Sequence, residues 1–151
     1  MQDITPDAVH RRLWAAAIDQ AAERELVNPS ETARTYSHAE DAEGGAVSVL
    51  GSRGEWKVAS HDKSRWLALD LGSERCVHAL VLQCGAIERT FSGWVTRLKV
   101  DHSSAEAPEA GDWTECREVL TGCGSDPMKE HCVHLHAKVY ARHLRLTPVA
   151  W

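Results

Sequence analysis

Trp66-Leu67-Ala68-Leu69-Asp70-Leu71-Gly72, Val77-His78-Ala79-Leu80-Val81-Leu82-Gln83 and Trp94-Val95-Thr96-Arg97-Leu98-Lys99-Val100-Asp101-His102-Ser103 decide how this chain folds. In the third stretch Trp94, Thr96, Leu98 and Val100 alternate with Val95, Arg97, Lys99 and Asp101. A period of two sets apolar side chains on one face and charge on the other, the pattern of a half-buried strand. Further strands are read at Trp66–Leu71, Cys76–Gln83, Trp113–Leu120, Val133–Val139 and Arg142–Pro148, with Gly, Ser, Pro and Asp between them. Short strands, turn signals and no strand–helix alternation specify an all-β fold, an antiparallel sandwich or barrel. Trp66, Trp94, Leu98, Val100, Leu144 and Leu146 are its expected core.

Ahead of the β pattern, Pro6–Leu26 reads as a helix. Thr5 caps it, Pro6 and Asp7 suit its first turn, and Val9, Leu13, Ala16 or Ala17 and Gln20 recur at helical spacing, with Trp14 and Ile18 widening the stripe. Asn28-Pro29-Ser30 stops it. The expected organisation is an N-terminal helical extension over residues 1–30 and a β domain over 31–151.

The chain has 151 residues, 43% apolar and 26% charged, which is one domain with enough apolar matter for one core. The net charge of −5 comes with no Lys/Arg cluster, which argues against nucleic acid as a partner. Met1 to Val9 has no apolar run of signal-peptide type, so a cytoplasmic location is expected, with an extracellular one open to a fragment. Cys76, Cys84, Cys116, Cys123 and Cys132 are odd in number and cannot all pair within one chain, so reduced thiols are expected.

The Trp-Leu-x-x-Asp-Leu-Gly run, Gln83 ending the next strand, Trp94-Val95-Thr96 leading to Asp101-His102-Ser103-Ser104, Trp113-Thr114, and Tyr140-Ala141-Arg142-His143-Leu144-Arg145-Leu146 with Pro148 and Trp151 together resemble the discoidin family, also called F5/8 type C domains. The resemblance covers approximately Ala33 to Trp151. It implies a discoidin-like jelly-roll β-sandwich that acts as a binding platform without catalysis or cofactor. It also implies a ligand surface of three loops, Ser37–Val49, Leu50–Trp56 and Cys84–Gly93. Members of that family usually continue past the position of Trp151 with another strand, so the expectation is that the chain either is truncated or leaves a sheet edge for the N-terminal helix or a partner to cover.

Sugar sites on such platforms need carboxylates and arginine for vicinal hydroxyls and an aromatic face for the C–H side of the ring. The three loops offer Glu40, Asp41, Glu43, Arg53, Glu88 and Arg89, with Trp56 or Phe91 as ring platforms; for Trp56 the other reading is a place in the core. Glu40, Asp41 and Glu43 stand where membrane-binding relatives carry aromatics, and an anionic bilayer repels them, so membrane insertion is not expected. Cys132-x-His134-x-His136, with Cys123 nearby, is a weak zinc spacing and reads as a solvated sheet face. Asp70 reads as a structural partner of Arg142 or Arg145, and no nucleophile–base pair, phosphate loop or paired-carboxylate motif marks a catalytic residue. The leading expectation is a lectin-like module for a glycan or other polar ligand. The alternative is an intracellular scaffold, ciliary or cytoskeletal, that docks proteins and assembles through the helix and the sheet edge.

Overall fold

The computed structural model describes residues 10–12, 14–19, 25–38, 48–52, 56–59, 64–83, 95–116, 119–121 and 129–150. Within them the chain forms β1 (His10–Arg12), β2 (Trp14–Asp19), β3 (Glu25–Val27), β4 (Arg34–Tyr36), β5 (Lys57–Ala59), β6 (Leu67–Gln83), β7 (Arg97–Ser103), β8 (Thr114–Glu115), β9 (Leu120–Thr121) and β10 (His131–Ala150). Single 3-10 turns lie at Glu31–Ala33 and Ala110–Asp112. β1 pairs with β5, and the other strands make one antiparallel sheet in the order β3-β2-β6-β10-β7-β8, with β4 added on β6 and β9 on β7.

Two long strands curl this sheet into the sandwich that the resemblance implies. The runs read separately as Trp66–Leu71 and Cys76–Gln83 are one 17-residue strand, and Val133–Val139 and Arg142–Pro148 are one strand of 20. Their corner falls at Gly72, whose φ of 84° is open to glycine and strained for other residues, and whose N–H donates to Asp70 Oδ1 at 2.9 Å. β6 and β10 pair through both halves, from His131↔Leu82 to Leu146↔Leu67, with register shifts between His134 and Val139 and between Ala141 and His143. Those irregularities let both strands turn from one layer into the other. Leu69, Leu98, Val100, Leu144 and Leu146 from one half meet Val77, Leu80, Leu82, Leu135 and Ala15 from the other in a single core.

The helix expected over Pro6–Leu26 is not formed: its described residues are β1, β2 and part of β3. β2 lies against β6, from Trp14↔Gln83 to Asp19↔Val77. The reason is burial on both sides. Ala15 and Ala17 enter the main core, while Ala16 and Ile18 pack with Leu50 and Val81 on the opposite face. A continuous apolar run buried on two faces suits a central strand, and its spacing mimics a helical stripe.

The strand expectation for the third stretch holds over Arg97–Ser103, where Leu98 and Val100 are fully buried. Two inward or outward assignments differ. Val95, expected outside, joins the core, and Trp66, expected inside, is half-buried on the outer face, where the Arg145 guanidinium covers it; Asp101 keeps to the charged face, buried there by Arg145. Trp94 lies outside the described residues. The stretch read as Trp113–Leu120 resolves into the short β8 and β9, which pair β7 at Asp101↔Glu115 and Leu98↔Leu120.

Candidate binding site

All three loops leave the fold, and the first two re-enter it, at residues that are described, and these roots are tied together. The first loop departs after Ser37-His38, where Ser37 N–H donates to the Trp66 carbonyl and Trp66 N–H returns to Ser37 Oγ, each at 3.0 Å. It re-enters at Ser48, whose hydroxyl shares a 2.7 Å hydrogen bond with the Tyr36 phenol. Ser48 also accepts the Ala15 N–H through its carbonyl, and Val49 bridges Ala15. Ala15 pairs with Leu82 and Trp14 with Gln83, so the departure point of the third loop lies beside the return point of the first. The second loop runs from Leu50 to Trp56, and Trp56 packs its ring 6.0 Å from that of Tyr36.

A buried cation fixes this junction. Arg34 donates to the carbonyls of Pro29 (3.0 Å), Ala15 (3.0 Å) and Ser48 (2.7 Å), to Ser48 Oγ and to Asn28 Oδ1. Asn28 in turn bonds both the N–H and the carbonyl of Leu50. Burial pulls the Arg34 pKa down to about 10, against the opposing pull of Tyr36 and Glu31. The Tyr36 phenol donates to Glu31 Oε1 at 2.6 Å, and burial, followed by that bond to a carboxylate, pushes its pKa well above the ordinary tyrosine range.

Of the residues proposed for ligand contact, Glu40, Asp41, Glu43, Arg53, Glu88, Arg89 and Phe91 lie outside the described residues. Trp56 is described and fully buried, so it takes the core place and presents no ring to a ligand. Cys132, His134 and His136 are all exposed on β10, with Cys132 Sγ 3.9 Å from His134 Nε2. Among the described residues no three His, Cys, Asp or Glu side chains cluster so as to hold a metal ion. Cys76, Cys116 and Cys132 are free thiols. Asp70 meets Arg142 at 3.1 Å, the structural pairing expected of it.

The outer face of β10 carries a recess that the linear sequence does not bring into view. Trp66, Thr35 of β4, His143 and Arg145 of β10, and Glu109 and Trp113 from the β7–β8 connection border a space of about 490 Å³. Arg145 sits with its guanidinium carbon 4.5 Å from the centroid of Trp113 and 5.7 Å from that of Trp66, and its Nε and Nη2 donate to Asp101 Oδ2 at 3.1 and 2.9 Å. Trp113 and His143 meet in a T-shaped arrangement, ring centroids 6.5 Å apart, and His143 Nδ1 donates to the Ala105 carbonyl at 3.0 Å. Glu109 holds its connection in shape through a capping box with Asp112. The sequence signal is faint because these residues come from strands separated by tens of positions.

The fold is a two-layer antiparallel sandwich, with the roots of its first two loops gathered on one buried junction. The F5/8 type C domain matches residues 30–151, and the chain belongs to that family. Solved structures similar to the chain include the family 32 CBM from C. perfringens NanJ in complex with galactose, at 17% identity and a TM-score of 0.45, covering 89% of this chain and 88% of that one. The comparison with curated proteins gives no match.

Proposed function

We propose that this protein is a non-enzymatic recognition module whose loop end binds a glycan or a similar polar ligand. The observation that carries this reading is the convergence of the first two loops' roots on the Arg34–Ser48–Tyr36 junction, with the departure point of the third beside it, in a family module. A junction so heavily bonded lets the loops vary in sequence without loss of the frame, the arrangement by which rigid scaffolds carry binding residues. Glu40, Asp41, Glu43, Arg53, Glu88 and Arg89 supply carboxylates and guanidinium groups for hydroxyls, and Phe91 supplies a ring. The scaffold alternative loses its main physical support, because the amphipathic helix it relied on is instead strand β2, paired into the sheet.

The test is a glycan array read with the wild type and with the triple variant D41A/R53A/R89A, alongside thermal melts of both. Glycan binding by the wild type, lost in the variant at an unchanged melting temperature, supports the reading. A wild type that binds no glycan and instead elutes within a larger assembly overturns it in favour of the scaffold.

A further inference from the structure

The geometry points to a second ligand site, the recess on the outer face of β10, which takes an uncharged, hydroxyl-rich ligand of one or two sugar rings. It is independent of the loop-end reading, because none of its walls comes from the residues proposed there. Its volume of about 490 Å³ falls within the range of small-molecule sites, about 300–1,000 Å³. Two half-buried indoles, Trp66 and Trp113, stand in its wall with Arg145 over one face of each, and the indole surface left at the recess is of the kind that packs against the C–H face of a pyranose.

Charge selects the ligand class. The Arg145 guanidinium is already paired with Asp101, a carboxylate only 5% exposed. A phosphate, sulfate or sugar acid that drew Arg145 away would leave a buried carboxylate without its partner, a cost that outweighs the new contact. His143 is committed to the Ala105 carbonyl and stands 3.5 Å from Asp70, and Glu109 adds a negative charge at the rim. A cationic ligand fares no better, since the positive Arg145 stands against both rings and repels it. Polar but uncharged ligands remain. The Thr35 hydroxyl and the Glu109 carboxylate are exposed at the recess and accept hydrogen bonds from ligand hydroxyls. A polyproline segment would also suit two indoles, but it has no N–H to offer those acceptors.

Chemical-shift titration of the tryptophan indole N–H signals tests this, with the Trp66 and Trp113 signals assigned through W66F and W113F. The probes are lactose, cellobiose and chitobiose, a sulfated heparin disaccharide, and decaproline. The expected result is that at least one neutral disaccharide moves both signals and that W113A weakens its binding about tenfold, the upper end of one aromatic contact. Thr35→Val, nearly isosteric and on an exposed strand position, gives a second reading independent of any loop rearrangement and weakens binding several-fold. The inference is overturned if no neutral disaccharide moves these signals, if the sulfated probe or decaproline moves them instead, or if W113A and T35V both bind as the wild type does. Because the readout is local to these rings, a failed glycan array for the loops and a failed titration here are separate results.

Discussion

Arg34 places Nη1 2.7 Å from the carbonyl oxygen of Ser48, so a buried cation is the peg on which the first loop is hung. Replacing Arg34 by Ala removes a donor from the carbonyls of Ala15, Ser48 and Pro29 and from the side chain of Asn28 at once. The expected loss is about 3–5 kcal/mol, the range for opening a buried polar network. Urea unfolding followed by far-UV circular dichroism measures it. Arg34→Lys is expected to recover less than half, since an ammonium cannot span acceptors arranged around a planar fork. A loss under about 1 kcal/mol for the Ala variant would show that water replaces the guanidinium without cost.

Tyr36 makes the junction sensitive to alkali. Its folded pKa is raised, by burial first and then by its bond to Glu31, so the folded state keeps the phenol neutral where the unfolded chain ionises. The stabilisation is therefore complete below the unfolded tyrosine value of about 10 and declines as pH climbs above it. Stability measured from pH 8 to 11 is expected to fall more steeply for the wild type than for Tyr36→Phe. Absorbance at 295 nm in a Tyr140→Phe background, where Tyr36 is the remaining tyrosine, should show no phenolate until the protein unfolds. Early ionisation of Tyr36 in the folded protein would contradict the geometry.

At the corner of the two long strands the acid limb is set by Asp70. Burial works against its charge, but the hydrogen bonds from Arg142 and the Gly72 N–H, with His143 nearby, win and hold its pKa below the ordinary carboxylate range. A depressed folded pKa gives stability that is present above the unfolded value of about 3.9 and lost as pH falls toward the folded one. Arg142→Met removes the guanidinium while keeping much of its bulk. Its stability deficit relative to the wild type is expected to be largest near neutrality and to shrink below pH 4. A deficit that stays constant with pH would assign the loss to packing instead.

What the sequence shows and hides follows from where each residue finds its partner. The alternation of Leu98 and Val100 is local, so β7 was legible, and the Asp70–Arg142 pair followed from family motifs that fix both residues. Trp66 was misplaced because an indole counts as core by hydrophobicity alone. Here the Arg145 guanidinium, delivered by a strand 79 positions later in the chain, covers the ring on the outer face. The recess was invisible for the same reason. β2 was misread because its buried alanines carry almost no conformational signature: Ala favours helices intrinsically, and only the two covering layers make it a strand. For the loop candidates the sequence offers only charge, which states what a loop can contact and not where its side chains point.

The pairing of β2 into the sheet is tested most sharply at the N-terminus. If Pro6–Leu26 were a helix laid on a finished domain, deleting residues 1–27 would leave a folded protein. The sheet says otherwise. β2 pairs with β6 over Trp14–Asp19, Ala15 and Ala17 fill the core beside Leu80 and Leu82, the Ala15 carbonyl receives Arg34, and the buried Asp19 carboxylate holds Arg75 at 3.3 Å. Removing the segment uncovers a central strand and takes an acceptor from the buried Arg34 and another from the half-buried Arg75 together. The truncated chain is expected to lose at least about 5 kcal/mol, enough to unfold many domains outright. A milder probe is Ala16→Glu, which sets a charge against Leu50 and Val81 on the second face of β2 and should cost about 2–4 kcal/mol, whereas on the solvent side of a helix it would be close to neutral. Urea midpoints for the wild type, the truncation and the single variant decide between the two arrangements: equal midpoints for all three would remove β2 from the sheet.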